Sequence, residues 1–96
     1  MARFEHLPIY EKAMEMNIYL QNTVRQFSRY NKYTIGAELR DLARRILLLI
    51  IRANSAKDKE KPLLELVETC DMLKVMLMFA REARPFRISR LFSLPR

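Results

Sequence analysis

The sequence predicts an all-α protein: an antiparallel up-down helical bundle, four-helix-bundle-like, with three long helices and a truncated or short fourth element in a single domain of 96 residues. Three observations predict it. Apolar residues recur at steps of three and four in three separate segments, the period of one helix face. Gly36 is the only glycine, and the chain is rich in Leu, Met, Ala, Glu, Lys and Arg, which are good helix formers. The β-branched residues are scattered and never alternate with polar ones as a strand requires. The expected helices cover about 8–28, 34–54 and 62–84, and the short C-terminal element covers 86–94.

The first helix follows a short lead-in. Pro8 suits its first turn, where a missing N–H costs nothing. Its buried stripe is Ile9, Ala13, Met16, Leu20, Val24 and Phe27, with Tyr10 and Tyr19 beside it. RYNKY is then a polar-aromatic turn, short enough to force the next helix to run antiparallel.

The second helix, TIGAELRDLARRILLLIIRAN, is the one around which the chain is organised. Thr34 is the expected N-cap, its side-chain oxygen accepting from an orphan N–H. Gly36 offers a close approach to a neighbour. Asn54, tolerant of the left-handed conformation, is the expected C-cap. Ile35, Leu39, Leu42, Ile46, Leu49 and Ala53 form one face, but Ile46 to Ile51 is apolar around the whole circumference. Such a segment asks for burial on every side, more than three short helices are expected to supply. The third helix opens near Pro62 after the charged connector SAKDKEK. Its stripe is Leu63, Leu66, Cys70, Leu73, Leu77 and Ala80, and it too is over-apolar toward its end. Pro85 stops it. A partner is the expected remedy, either a second copy of the chain or another protein, with Leu47, Leu48, Ile50, Ile51, Val75 and Met78 as the expected interface.

Little catalytic chemistry is available. The only histidine, His6, lies in the lead-in, and the only cysteine, Cys70, falls on a core stripe, where it acts as a small inert hydrophobe. Glu11 with Glu15 and Glu65 with Glu68 are helical neighbours, but no Glu-x-x-His follows to complete a di-metal site. No phosphate-cradling glycine loop and no nucleophile elbow is present. The expectation is a protein without catalytic residues, cofactor or metal. The longest apolar run has six residues, far below the roughly 20 that span a bilayer. The N-terminus lacks the apolar core of a signal peptide, and one cysteine forms no internal disulfide, so a reducing cytoplasm is the expected location.

The formal charge is +7, which suits an anionic partner or serves as ordinary solubility charge. Residues 81–96 carry five basic side chains against one acidic. If the helices run up, down and up, one end of the bundle collects Arg25, Arg29, Lys32, Arg40, Arg81 and Arg84, with Arg87 and Arg90 following. Glu38, Asp41 and Glu82 oppose them there. This end is the expected nucleic-acid surface, attracting phosphates without reading bases. Tyr30 and Tyr33 lie in the same turn, either to stack on unpaired bases or to cover the core. Solvated helix edges explain the same charges without any nucleic acid.

LPIYEKAMEM, YTIGAELRDLARRILLLIIRAN and KPLLELVETCDMLKVMLMFARE together resemble the four-helix-bundle accessory proteins of diversity-generating retroelements, the Avd type. They are more distantly similar to the small bundle proteins encoded within ribosomal RNA intervening sequences. The likeness spans about residues 7–83 and rests on helical pattern plus Ile9-Tyr10, Thr34-Ile35-Gly36 and Arg52-Ala53-Asn54. It implies a basic pentameric barrel that associates with the retroelement reverse transcriptase, binds template RNA and DNA, supports complementary-DNA synthesis and catalyses nothing itself. The family's fourth helix carries an acidic-Ile-Gly-Arg-Met-Leu-Gly-Gly-Trp signature. This chain has no Trp and no glycine after Gly36; FRISRLFSLPR stands in its place, which implies a shortened fourth element. A plain helical protein-protein interaction module without nucleic-acid binding is the alternative.

Overall fold

The computed structural model describes residues 4–83, and among them it is helical with no strand. A 3-10 turn at Phe4–His6 leads into α1 (Pro8–Val24), followed by α2 (Arg29–Tyr33), α3 (Ile35–Ser55) and α4 (Glu60–Ala83). The expected C-terminal element at 86–94 lies outside the described residues.

α3 is the centre. It packs against α1 on one flank and α4 on the other, while α2 and the N-terminal 3-10 turn touch its two ends. Its apolar period explains this: Leu39, Leu42, Ala43, Ile46, Leu49 and Ile50 are all buried and occupy more than one side of the helix. They meet Ala13, Leu20 and Val24 from α1, and Leu66, Leu73 and Ala80 from α4. One polar link crosses the packing. Asn17 on α1 donates from Nδ2 to the Ala43 carbonyl of α3 at 3.0 Å and to its own Ala13 carbonyl at 2.8 Å. On the other flank Arg52 pairs with Glu65 at 2.9 Å, joining the end of α3 to the start of α4.

Several boundaries differ from expectation. α1 stops at Val24, because the chain turns there through Gln26 N–H to Thr23 O (3.0 Å) and Phe27 N–H to Val24 O (2.9 Å). Phe27 stays in the core all the same, placed by that turn rather than by helix periodicity. RYNKY is a five-residue helix, not a simple turn. Thr34 does not cap α3 with its side chain: its Oγ1 donates backwards to the Tyr30 carbonyl at 3.0 Å. Asn54 is not a left-handed cap either. α3 runs on to Ser55 and ends because Ala56 is extended, at φ −78° and ψ 143°.

A lysine closes that end instead. Lys59 Nζ donates to the carbonyls of Ala53 (2.8 Å), Asn54 (3.1 Å) and Ala56 (3.1 Å). The last carbonyls of a helix lack intrahelical partners and carry its negative pole, so an ammonium there satisfies both needs. Asp58 Oδ1 accepts from the Glu60 N–H at 3.1 Å, which starts α4 two residues before Pro62. Pro62 is tolerated because it still lies in the first turn.

The all-round apolar stretch of α3 is largely covered within the chain. Ile46, Leu49 and Ile50 are buried, Leu47 packs partly against the core, and Ile51 is half-buried. Leu48 alone of the six is open, at 64% exposure. Ile50, at 4%, is therefore already a core residue within the single chain; flanked by α1 and α4, a central helix buries more of its circumference than a peripheral one. α4 behaves in the opposite way. Leu64, Val67, Val75 and Met78 share its outer face and are exposed, as are Met72 and Phe79.

Candidate nucleic-acid interface

The end of the molecule where α1 stops, α2 turns and α3 begins is held by a close backbone approach. Gly36 is buried there, and a Cβ built on it would lie 2.5 Å from Val24 Cγ1, 3.3 Å from the Asn31 carbonyl oxygen and 3.4 Å from Phe27 Cδ2. Only a glycine lets the start of α3 sit this tightly under α2. Asn31 Nδ2 donates to Ser28 Oγ at 2.8 Å, and Lys32 N–H bonds the Ser28 carbonyl at 2.8 Å, so α2 is a fixed single turn.

α2 brings Arg29 and Lys32 beside Arg25 at the end of α1. Arg25 and Arg29 are exposed and Lys32 is half-buried, and none of the three forms an ion pair among the described residues. Tyr30 and Tyr33, on the same turn, are 76% and 71% exposed. They do not cover the core; Phe27 and Ile35 do that from either side of α2. Arg81 lies near the end of α4, which runs antiparallel to α3 and so ends near the start of α3. It is exposed and 3.6 Å from its neighbour Glu82. Arg40 is less available than its position suggests, because its Nε is buried with no hydrogen-bond partner. Asp41 is paired with Arg44 on α3. Arg84, Arg87 and Arg90 lie outside the described residues.

Two features are not visible in the sequence. A groove of about 330 Å³ runs between α1 and α4 over α3, floored by Ile46 and Ile50, walled by Ile9, Ala13, Met16, Leu66, Cys70, Leu73 and Leu77, and edged by Lys12 and Lys74. Ile9, expected in the core, is one wall of it and is exposed. A second groove, between α3 and α4, pairs apolar Leu42, Met72, Val75 and Met76 with Glu38, Asp41, Arg45 and Asp71. Cys70 is half-buried in the first groove, and that burial pushes its thiol up from the ordinary value; Lys74 pulls it down less strongly, and Asp71 adds a small upward push. No group of three or more His, Cys, Asp or Glu side chains among the described residues is arranged to hold a metal. No described helix is long and apolar enough to cross a membrane.

The arrangement can attract polyanions and stack on flat rings, and it offers apolar grooves to helices. The chain matches no known protein-family profile, no curated protein and no solved structure.

Proposed function

We propose that this protein is a non-catalytic accessory protein of a diversity-generating retroelement, a homo-oligomer that holds template RNA or its complementary DNA at the basic end of a helical bundle and associates with the reverse transcriptase. The retroelement and its polymerase enter through the likeness of residues 7–83 to that family. The nucleic-acid part is supported by one observation: the single turn α2 presents Arg29 and Lys32 together with the exposed rings of Tyr30 and Tyr33, beside Arg25. Cations interleaved with open aromatic rings suit single strands, whose phosphates need charge and whose unpaired bases need a flat surface. Such binding is sequence-tolerant, because nothing in the turn reads base edges.

Filter binding at two salt concentrations tests this reading. Arg25, Arg29 and Lys32 changed together to Glu are expected to abolish binding of RNA or single-stranded DNA while helicity is kept. Tyr30→Ala with Tyr33→Ala is expected to weaken it by about 1–3 kcal/mol per base unstacked, with the salt dependence unchanged. Lys57→Glu with Lys61→Glu is the control. Lys59 is left out of the control because it holds the end of α3. Equal losses from the triple variant and the control, or wild-type binding indifferent to salt, overturn the reading, since phosphate contacts must release counterions.

A second reading, a helical protein-protein interaction module without nucleic-acid binding, is favoured by a different observation. Val75 and Met78 on the outer face of α4 are 62% and 58% exposed, an apolar stripe of the kind that marks an interaction surface. Salt-indifferent capture of a partner through that face, with no nucleic-acid affinity, would select it.

A further inference from the structure

We infer that the lysine-edged groove between α1 and α4 receives the outer face of α4 from a second copy of this chain, in a head-to-tail contact. The inference deepens the oligomeric part of the proposed function by naming which surfaces meet. It is independent of whether the basic end binds nucleic acid.

Both halves of the contact are present in one molecule. The groove is apolar at its floor, and its only charged lining residues are Lys12 and Lys74. The outer face of α4 carries Leu64, Val67, Val75 and Met78, all exposed, with Glu68 and Asp71 among them and Lys74 on the edge that the face shares with the groove. Spacings of three, eight and three residues keep these four side chains within one sector of the helix. α4 has five carboxylates against three cations, in a chain that is basic as a whole. An apolar stripe with acidic neighbours is the complement of an apolar groove with ammonium edges, as an amphipathic helix is to its groove. The lengths agree: Leu66 to Leu77 spans about 16 Å of groove wall, and Leu64 to Met78 spans about 21 Å of helix face, at roughly 1.5 Å per residue. The two surfaces differ, so the contact is heterologous, and repeated copies continue around a ring or along a chain.

Cys70 is a built-in reporter, being the only thiol in the sequence and a wall of the groove. In the full chain, its alkylation rate at fixed pH is expected to fall several-fold as protein concentration rises into the range where light scattering shows assembly. Two charge-reversed variants make the test specific. Lys12→Glu with Lys74→Glu sets acid against acid, and Glu68→Lys with Asp71→Lys sets base against base. Each alone is expected to weaken assembly by about ten-fold or more, as like charges meet in the contact, and to leave Cys70 reactive. Mixed one to one, they are expected to restore both assembly and protection, because each groove then finds an opposite face. Carbodiimide cross-linking of the unaltered protein, isotopically labelled copies mixed with unlabelled, should join Lys12 or Lys74 to Glu68 or Asp71 between copies. This readout needs no variant to fold.

Assembly with Cys70 equally reactive at all concentrations overturns this pairing and leaves the oligomer standing. Protection that is independent of concentration means that the chain covers its own groove, and also overturns it. Variants that assemble alone, or that fail to complement each other while keeping their helicity, do the same. A monomer at every concentration removes the pairing and the oligomer together, with nucleic-acid binding untouched.

Discussion

Gly36 and Val24 stand so close that a Cβ on the glycine would lie 2.5 Å from Val24 Cγ1, inside any tolerable carbon-carbon contact. Val24 is almost fully buried and Phe27 closes the other side, so neither can give way freely. This one contact joins the end of α1 to the start of α3 and sets where α2, with its cations and rings, projects.

Gly36→Ala is accordingly expected to destabilise the fold. Overpacking costs about 1–3 kcal/mol, against a gain of about 1 kcal/mol from better helix propensity. Urea denaturation measures the net loss. Adding Val24→Ala should recover part of the Gly36→Ala penalty, because the two residues share one space; strict additivity of the two losses would contradict the contact.

Thr34→Ala is expected to be nearly neutral, within about 0.5 kcal/mol. A side-chain cap would have been worth about 1 kcal/mol, but the Thr34 hydroxyl is exposed and bonds the Tyr30 carbonyl instead. A melting temperature lowered as far as by loss of a true cap would show that the hydroxyl bonds the start of α3 in solution.

Lys59→Met should cost about 1 kcal/mol, since it frees three carbonyls at the negative end of α3. Lys57→Met, two residues away in the same connector, should cost nothing measurable. Hydrogen exchange at the last turn of α3 separates the two; equal protection in both variants would remove Lys59 as the cap.

Ile50→Glu and Leu48→Glu should part company. The first places an unpaired carboxylate in the core, at about 3–5 kcal/mol, and should unfold the chain or nearly so. The second alters an open position and should keep the helical circular dichroism of the parent. Comparable helicity in both variants would show that α3 is not the central helix.

Helix existence was legible in the sequence because it depends on a local period. Leu39, Leu42, Ile46 and Leu49 are three or four residues apart, backbone geometry puts them on one face, and that face is buried. The close approach at Gly36 was legible for a similar reason, a lone glycine in a chain of helix formers. Ends were less legible. Phe27 continues the period of α1 yet sits beyond its end, since periodicity does not distinguish a helical turn from a compact one that delivers the same side chain to the core.

The sequence by itself determined an all-helical chain and the buried period of its central helix, Leu39, Leu42, Ile46 and Leu49; on the outer helices it put Ile9, Leu63 and Leu77 on buried faces that the structure leaves open. Only tertiary structure decided what lies on each side of those faces. Ile50 and Val75 look alike as apolar residues on over-apolar helices, but α3 is flanked on two sides and α4 on one, so the first is buried and the second is open. Tyr30 and Tyr33 are exposed, while Phe27 and Ile35, on either side of α2 in the chain, are the buried residues of that corner. Lys12 and Lys74 lie 62 positions apart in the chain and edge one groove. Burial and charge pairing are sums over spatial neighbours, and in a bundle those neighbours come from other helices, far along the chain.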